Sequence, residues 1–300
     1  MNKHAYLIMA HNEIYILKKL LMQIDNKHND IYLHIDKKAK DFDIESLKKI
    51  VKKSNLYFVE RLNVGWSAHT QILCELLLLK EATSKNKYSY YHLLSGVDLL
   101  IKDSEEIYNY FEKNNGVEYI PFSNLEGITE QEIERIKYYH FLNQNMRHKN
   151  RFIRIFSSII HRLTISIQKT LKVNRLKKVE LEIRKGANWF SITDDLARYT
   201  LDKSKELMHI FKHSCCADEL FLQTIVYNSE FINKINKETT DEHLMAKRHI
   251  DWERGNPYTY KVENYKELMN SDAFFARKFS TKVDKEIIDK IYKTLEGKRK

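Results

Sequence analysis

The sequence predicts an α/β protein with a mainly parallel sheet that is covered by helices on both faces. Two observations lead to this prediction: apolar runs of strand length alternate with segments of helical period, and nothing in the composition marks a linker. Only two prolines and seven glycines occur among the 300 residues, of which 43% are apolar. We therefore expect residues 1–300 to form a single domain with a large core.

The first hundred residues give the clearest pattern. Within each predicted helix the leucines and isoleucines recur on one face, and each predicted strand is a short apolar run. Because strands and helices alternate, consecutive strands should run parallel and be joined by crossover helices. The predicted strands are residues 4–10, 31–35, 56–59 and 90–94, and the helices between them are residues 13–24, 44–51 and 67–82.

The alternation becomes irregular after Asp98. Two further apolar runs, residues 117–120 and 187–192, are typical of strands. The predicted helices of this half are residues 151–172, 194–201, 218–227 and 282–295.

Polar residues follow three of the predicted strands: His11 after the first, Asp36 after the second, and Asp98 after the fourth. In an open α/β sheet, ligands bind beyond the carboxyl ends of the strands, so a site is expected there. Asp36 could accept hydrogen bonds from a sugar or base hydroxyl; the alternative is a solvated acid in a loop. The sequence lacks G-x-G-x-x-G and G-x-x-x-x-G-K-[ST], which argues against a dinucleotide fold or a P-loop.

The net charge of +10 comes from one segment. Residues 135–179 contain 12 of the 51 Lys and Arg residues and no acid, which leaves 39 basic against 41 acidic residues elsewhere. Any partner that is attracted by this positive charge should therefore bind at this segment. A nucleic-acid-binding protein would be expected to interleave basic residues with stacking aromatics on a strand face. Here the basic residues lie on a predicted helix, so we expect no nucleic-acid partner.

Residues 151–172 form an amphipathic pattern inside that segment. Seven apolar residues fall in one broad stripe, and Arg151, Arg154, Arg162, Lys169 and Lys172 fall on the opposite side. The residues of the stripe are Phe152, Ile155, Phe156, Ile159, Ile160, Leu163 and Ile167. Such a helix suits the surface of an anionic membrane. The alternative is a helix that packs its apolar stripe on the core and leaves a basic face exposed.

The three cysteines, Cys74, Cys215 and Cys216, lack the spacing of metal ligands, and His11, His34 and His69 are scattered along the chain. The sequence therefore predicts no metal centre. Few cysteines, no signal peptide and no apolar run long enough for a membrane span predict a protein of the reducing cytoplasm.

Six stretches occur in an order that resembles the core-2/I-branching glycosyltransferase family, glycosyltransferase family 14. The resemblance implies a GT-A-type fold and an inverting transfer from a UDP-sugar that needs no divalent metal. The expected donor is UDP-GlcNAc, with UDP-xylose as the alternative, and the expected acceptor is a glycan. If residues 151–172 bind a membrane, that acceptor would be a lipid-linked glycan of surface polysaccharide assembly at the inner membrane face. A catalytically inactive membrane adaptor is a further alternative. The stretches, between residues 5 and 279, are AYLIMAHNE with IYLHIDKKAK, VGWSAHTQILCELLLL, YYHLLSGVDLLIKD, KGANWFSIT, CCADELFLQTI and FFARKF.

The resemblance also implies roles for single residues. Glu219 in CCADELF corresponds to the catalytic base, which leaves Asp218 as an acid that stabilises the first helical turn. Lys278 in FFARKF, with Arg277 beside it, would neutralise the leaving diphosphate. A second basic partner has no clean match, and the nearest candidate is Lys261, close to Tyr258.

Other implied contacts involve the nucleotide and the acceptor. His11 and Asp36 would lie near the nucleotide, where Asp36 would contact the uridine or ribose. The literal D-x-D of residues 41–43 precedes a helix and is interpreted as a cap rather than a metal site. The residues expected at the acceptor are Glu126, Arg135, Trp189 and Trp252, whereas Trp66 is expected to pack at the head of a helix.

Overall fold

The computed structural model of the chain describes residues 2–40 and 42–297. Asp41, the first acid of the D-x-D, lies outside the described residues. The second, Asp43, caps a helix as expected, because its carboxylate accepts a hydrogen bond from the Ser46 N–H at 3.2 Å.

The centre of the molecule is a five-stranded sheet in the order β3-β2-β1-β4-β6. Its first four strands are parallel, and β6 pairs with β4 in the antiparallel direction. Because helices cover both faces, β2 and β4 are buried at every residue. The strands are β1 (His4–Ala10), β2 (Asn29–Ile35), β3 (Asn55–Phe58), β4 (Tyr90–Ser95) and β6 (Ser191–Thr193).

Two apolar clusters cover the sheet, one on each face. One contains residues of α3, α7 and α8, and the other contains residues of α1, α4 and α11. The predicted α/β class, a mainly parallel sheet flanked by helices, is therefore confirmed. The helices are α1 (Ile14–Ile24), α2 (Ile44–Ile50), α3 (Thr70–Lys85), α4 (Ser104–Lys113), α5 (Glu130–Lys137), α6 (Arg151–Thr170), α7 (Asp194–Phe211), α8 (Asp218–Tyr227), α9 (Glu242–Met245), α10 (Tyr265–Asn270) and α11 (Lys285–Gly297).

The second half of the chain departs from the prediction in several places. The apolar run at 117–120 forms only isolated bridges, at Glu118 and Tyr119, instead of a strand. A second sheet, in the order β5-β8-β7, was not predicted because its strands have only two or three residues each, too few to show a period. Its strands are β5 (Leu99–Leu100), β7 (Arg248–Ile250) and β8 (Phe275–Arg277).

A buried arginine joins the two sheets. The guanidinium of Arg248 in β7 donates to the backbone oxygens of Leu93 at 3.2 Å and Phe190 at 2.6 Å, and to Ser191 Oγ at 3.1 Å. Burial lowers the pKa of Arg248 to about 9, and the carboxylate of Asp98 opposes that shift. Through these bonds, the small sheet is held against the carboxyl end of β4.

Helix α6 packs on the rest of the protein through polar side chains. The amide of Gln168 exchanges two hydrogen bonds with the backbone of Tyr139, at 2.8 and 2.9 Å, and the rings of His161 and His140 are hydrogen-bonded at 2.9 Å. Ser157 is buried on the same side of the helix. The alternative in which the apolar stripe of this helix packs on the core is therefore wrong. Across residues 2–40 and 42–297, none of the helices is long and apolar enough to cross a membrane.

Candidate active site

Asp36 marks the carboxyl end of β2 and is almost completely buried, with 4% of its surface exposed. Its carboxylate accepts hydrogen bonds from the backbone N–H groups of Lys38 at 2.7 Å and Val64 at 3.2 Å. The loops after β2 and β3 are thereby connected. Asp36 is thus not a solvated loop acid, and a contact from it to a nucleotide stays a prediction.

Arg277, at the end of β8, lies over the edge of the central sheet. Its Nε is 3.4 Å from Oδ1 of the buried Asp98, and its guanidinium stacks on the ring of Trp189 at 4.1 Å. Burial lowers the pKa of Arg277, and the carboxylates of Asp98 and Asp218 oppose that shift. The ring of Trp189, which was expected at the acceptor, therefore contacts the guanidinium of Arg277.

Lys278 adds a second positive charge next to Arg277, and Arg147 adds a third. Lys278 is held in place by its backbone oxygen, which accepts from the Tyr260 N–H at 3.0 Å. Burial lowers the pKa of Lys278, and the guanidinium groups of Arg277 and Arg147 lower it further. The three side chains form a cluster of like charge, which we call the cation cluster: Arg147, Arg277 and Lys278. Groups of this kind bind anions such as a diphosphate.

Arg147 enters the site from the loop before α6. Its guanidinium lies 3.6 Å from the centre of the Trp66 ring, in cation–π geometry. The ring of Trp66, which was expected to pack at the head of a helix, is 46% exposed and is a platform for Arg147. The sequence offered no signal that distinguishes Arg147 from the other basic residues of segment 135–179.

Glu219, in the first turn of α8, forms an ion pair with Arg135 of α5. Nη1 of Arg135 donates to Oε2 of Glu219 at 2.7 Å, and the two side chains are 30% and 32% exposed. Glu126, which was expected at the acceptor together with Arg135, lies in an exposed loop. A carboxylate that is both accessible and oriented by an arginine can accept a proton from a bound hydroxyl.

Asp218 is buried beside Glu219 and has a different environment. Its Oδ2 accepts from Gln71 Nε2 at 3.0 Å, while Oδ1 has no hydrogen-bond partner among the described residues. Burial and the charge of Glu219 raise the pKa of Asp218 to about 7. Asp218 is therefore a buried acid within the first turn of α8, and its part in stabilising that turn stays a prediction. Nothing in the sequence indicated this burial.

A second buried acid, Glu75 of α3, lies behind Asp218. Burial and the charge of Asp218 raise the pKa of Glu75 well above its usual value, although a hydrogen bond from Asn188 at 2.8 Å opposes the shift. Asp218 and Glu75 are both buried, so Glu219 is the accessible carboxylate of these three acids. Sequence reasoning missed Glu75 because it looks like a solvent-facing acid within a leucine-rich helix.

The remaining predicted residues are His11, Lys261, Glu126 and Trp252. His11 is exposed, yet partial burial of its ring by neighbouring residues lowers its pKa. The carboxylate of Asp36 opposes this shift, and the guanidinium of Arg277 reinforces it. Lys261 extends toward Glu263, 4.0 Å away, and Trp252 is half exposed. No hydrogen bond or ion pair joins Lys261, Glu126 or Trp252 to Glu219 or Lys278 in the part of the chain that is described. Their roles stay predictions.

Across residues 2–40 and 42–297, no three His, Cys, Asp or Glu side chains gather as metal ligands. The cation cluster carries positive charge at this edge of the sheet.

The chain is similar to known glycosyltransferases. The family model of the Core-2/I-Branching enzyme matches residues 4–272. Xylosyltransferase 2 of Rattus norvegicus is 20% identical over 306 residues, and the xylosyltransferase of Ciona intestinalis is 20% identical over 304 residues. Each alignment covers 95% of this chain and 33% of the relative, so the chain spans about a third of the length of these proteins.

Two solved structures show weaker likeness. Mouse xyloside xylosyltransferase 1 in its apo form has a TM-score of 0.34 and 10% identity, covering 92% of this chain and 97% of that one. TarS of S. aureus has a TM-score of 0.30 and 16% identity, covering 43% of this chain and 23% of that one. Scores this low do not bear on the fold or the activity. The match over residues 4–272 does, and by it the chain belongs to the Core-2/I-branching enzyme family of glycosyltransferases.

Proposed function

We propose that this protein is an inverting, metal-independent glycosyltransferase that moves a sugar from a UDP-sugar to a glycan acceptor. The observation that carries the proposal is the arrangement of Glu219 and the cation cluster along one edge of the sheet. Asp218 connects the two, since it adjoins Glu219 in the chain and its charge acts on Arg277. UDP-GlcNAc is the donor we favour. The xylosyltransferase relatives make UDP-xylose the second candidate, and thermal stabilisation by each nucleotide sugar would distinguish the two.

The cation cluster would bind the diphosphate of the donor. Negative charge grows on the diphosphate as the bond to the sugar C1 breaks, and fixed positive groups stabilise that charge. Arg277 is held by Asp98 and Trp189, and Arg147 is held by Trp66, so both guanidinium groups are already in place before the donor binds.

Glu219 would act on the acceptor. Its carboxylate removes the proton from an acceptor hydroxyl while the oxygen attacks C1 from the face opposite UDP, and the configuration at C1 inverts. Arg135 keeps the carboxylate oriented until the hydroxyl arrives. Because the pair is partly exposed, the free energy that holds it together is small, about 1 kcal/mol or less, and an acceptor can displace it.

The metal-independent mechanism predicts that EDTA leaves the rate of UDP release from the donor unchanged within about twofold. The reason is that side chains, and no bound ion, neutralise the diphosphate. The measurement is UDP release with and without chelator, alongside calorimetric titration of UDP in EDTA. A loss of rate that Mn²⁺ restores would contradict the mechanism, and a protein that fails to bind UDP in EDTA would support the inactive-adaptor alternative.

We also propose that the protein binds peripherally to the inner face of a membrane. Its acceptor there would be a lipid-linked glycan of surface polysaccharide assembly. The support comes from helix α6, whose polar side packs on the protein and whose apolar stripe therefore faces outward. Phe152 is 83% and Phe156 63% exposed. The other large apolar residues of the stripe are also exposed: Ile155, Ile159, Leu163 and Ile167.

Basic residues flank this exposed stripe. At about 100° per residue, Arg151, Arg162 and Lys169 lie roughly 100° from the centre of the stripe, between it and the packed side. Lys169 pairs with Glu134, whereas no ion pair involves Arg151, Arg154, Arg162 or Lys172 in the ranges described. The unpaired Arg151 and Arg162 lie beside the apolar stripe, an arrangement that matches the headgroups and the acyl region of an anionic bilayer.

We expect that replacing both Phe152 and Phe156 by Ser weakens binding to phosphatidylglycerol vesicles by at least about tenfold, because each exposed Phe contributes apolar area to the bilayer contact. The melting temperature should not fall, since neither ring is buried in the protein. The measurement is vesicle co-sedimentation, with Val283→Ser, an exposed residue before α11, as the matched control.

Three results would count against the membrane surface. If the protein bound equally well to neutral phosphatidylcholine and to phosphatidylglycerol vesicles, the basic residues would not contribute to binding. A large loss of stability in the double variant would indicate that the stripe packs on protein. A change from dimer to monomer would assign the stripe to a second copy of the chain.

A further inference from the structure

Two adjacent thiols lie next to Glu219. Cys215 and Cys216 are both partly buried, and their sulfur atoms are 4.0 Å apart. Their backbone positions are fixed: the Cys215 N–H donates to the Arg135 oxygen and the Cys216 N–H to the Ser67 oxygen, both at 2.9 Å. Cys215 is therefore anchored to the same arginine that pairs with Glu219. The third cysteine, Cys74, is buried.

The surroundings favour the thiolate form of Cys215. The hydrogen bond with Cys216 and the guanidinium of Arg135 lower the pKa of Cys215 to about 7, although burial and Glu219 oppose them. The same hydrogen bond raises the pKa of Cys216. One proton is thus shared by the pair near neutral pH. A partly exposed thiol in electropositive surroundings is the kind that reacts with electrophiles.

We propose that Cys215 is a covalent modification site that reacts with low-molecular-weight disulfides to form a mixed disulfide. The Cys215 thiolate attacks one sulfur of the disulfide, a new S–S bond forms, and the old S–S bond breaks. The other half leaves as a thiolate and takes a proton from water. The small disulfide is the oxidant: Cys215 is oxidised and the released thiol is reduced.

The mixed disulfide should persist rather than pass to Cys216. A bond between the two cysteines would join residues whose Cα atoms are about 3.8 Å apart. That separation is shorter than the roughly 4.4–6.8 Å usual for disulfides, so ring closure is disfavoured. Removal of the adduct therefore depends on an external thiol.

The adduct would also affect transfer, and this part rests on the proposed function. A group attached to Cys215 would lie against Arg135, which orients Glu219. The cation cluster is carried by other segments, around residues 147 and 277–278, so diphosphate binding should survive. Modification would then lower the rate of transfer without weakening the binding of UDP.

The experiment treats the full-length protein with dithiodipyridine and follows the released thiopyridone by absorbance, with mass spectrometry of the product. We expect one fast equivalent, located at Cys215, at least about tenfold faster than the remaining thiols, and a rate that rises with a midpoint near pH 7. Cys216→Ala should keep the fast equivalent but move its midpoint toward the ordinary thiol value of about 8.5, because alanine cannot replace the hydrogen bond. Cys74→Ser is the matched control and should not alter the fast phase.

A fast phase that persists in Cys215→Ser would overturn the proposal, and so would a native protein whose three thiols react at one common rate. These labelling measurements contain no donor or acceptor, so they do not depend on the proposed function. A protein that showed the Cys215-dependent phase but never released UDP from any donor would support the thiol site and refute the transferase. In an active enzyme, the treated Cys215→Ser variant should keep its own untreated rate.

Discussion

Glu219→Gln is expected to lower the rate of sugar transfer by about 10²–10⁴-fold while UDP still binds. The amide oxygen of Gln can still accept the hydrogen bond from Arg135, so the local structure should be preserved. It cannot take the proton of the acceptor hydroxyl, and the attacking oxygen then stays a poor nucleophile. The measurements are steady-state transfer rates with donor and acceptor saturating, and calorimetry with UDP.

The control for this substitution removes an exposed ion pair elsewhere. Glu206 of α7 pairs with Lys203 at 3.2 Å on the surface, and Glu206→Gln should leave transfer and stability nearly unchanged. Turnover that survives in Glu219→Gln would remove this residue from the mechanism. In that case the buried Asp218 would be the next acid to test, since its pKa of about 7 also allows it to exchange a proton near neutrality.

The central sheet could be predicted because its strands are continuous apolar runs. β1, for example, was predicted with its exact bounds, His4–Ala10. The small sheet could not, since Arg248–Ile250 and Phe275–Arg277 owe their conformation to partners distant in sequence. Helix α5 carried a local signal that the prediction overlooked, because Thr129 and Glu132 form a capping box at its start.

The site was predictable only in part. Glu219 and Lys278 were identified through the family resemblance, because an acid in a first helical turn and a basic turn residue are by themselves ordinary. Arg147 could not be found from the sequence, since its role depends on the Trp66 ring, which comes from a different loop. Helix α6 shows the same limit: its period was visible, but only the contacts of Gln168 and His161 reveal which side packs.

Lys278→Ala is expected to weaken UDP binding by about 10–100-fold, the loss of one charged hydrogen bond worth about 1.5–3 kcal/mol. Arg277 and Arg147 remain, so binding should fall but not vanish. The affinity of the native protein should also decline as salt is added, more steeply than that of the variant, because one attractive charge is missing. The measurement is calorimetry with UDP at two ionic strengths.

Lys282→Ala is the matched control, because this lysine lies four residues further along the chain and is exposed. Equal loss of affinity in both variants would mean that UDP senses only the general positive charge of this region. If the proposed roles are correct, Lys278→Ala and Glu219→Gln should fail in opposite ways, the first in binding and the second in rate. If both variants lost UDP binding, Glu219 would belong to the nucleotide site. A different residue would then have to act as the base on the acceptor hydroxyl.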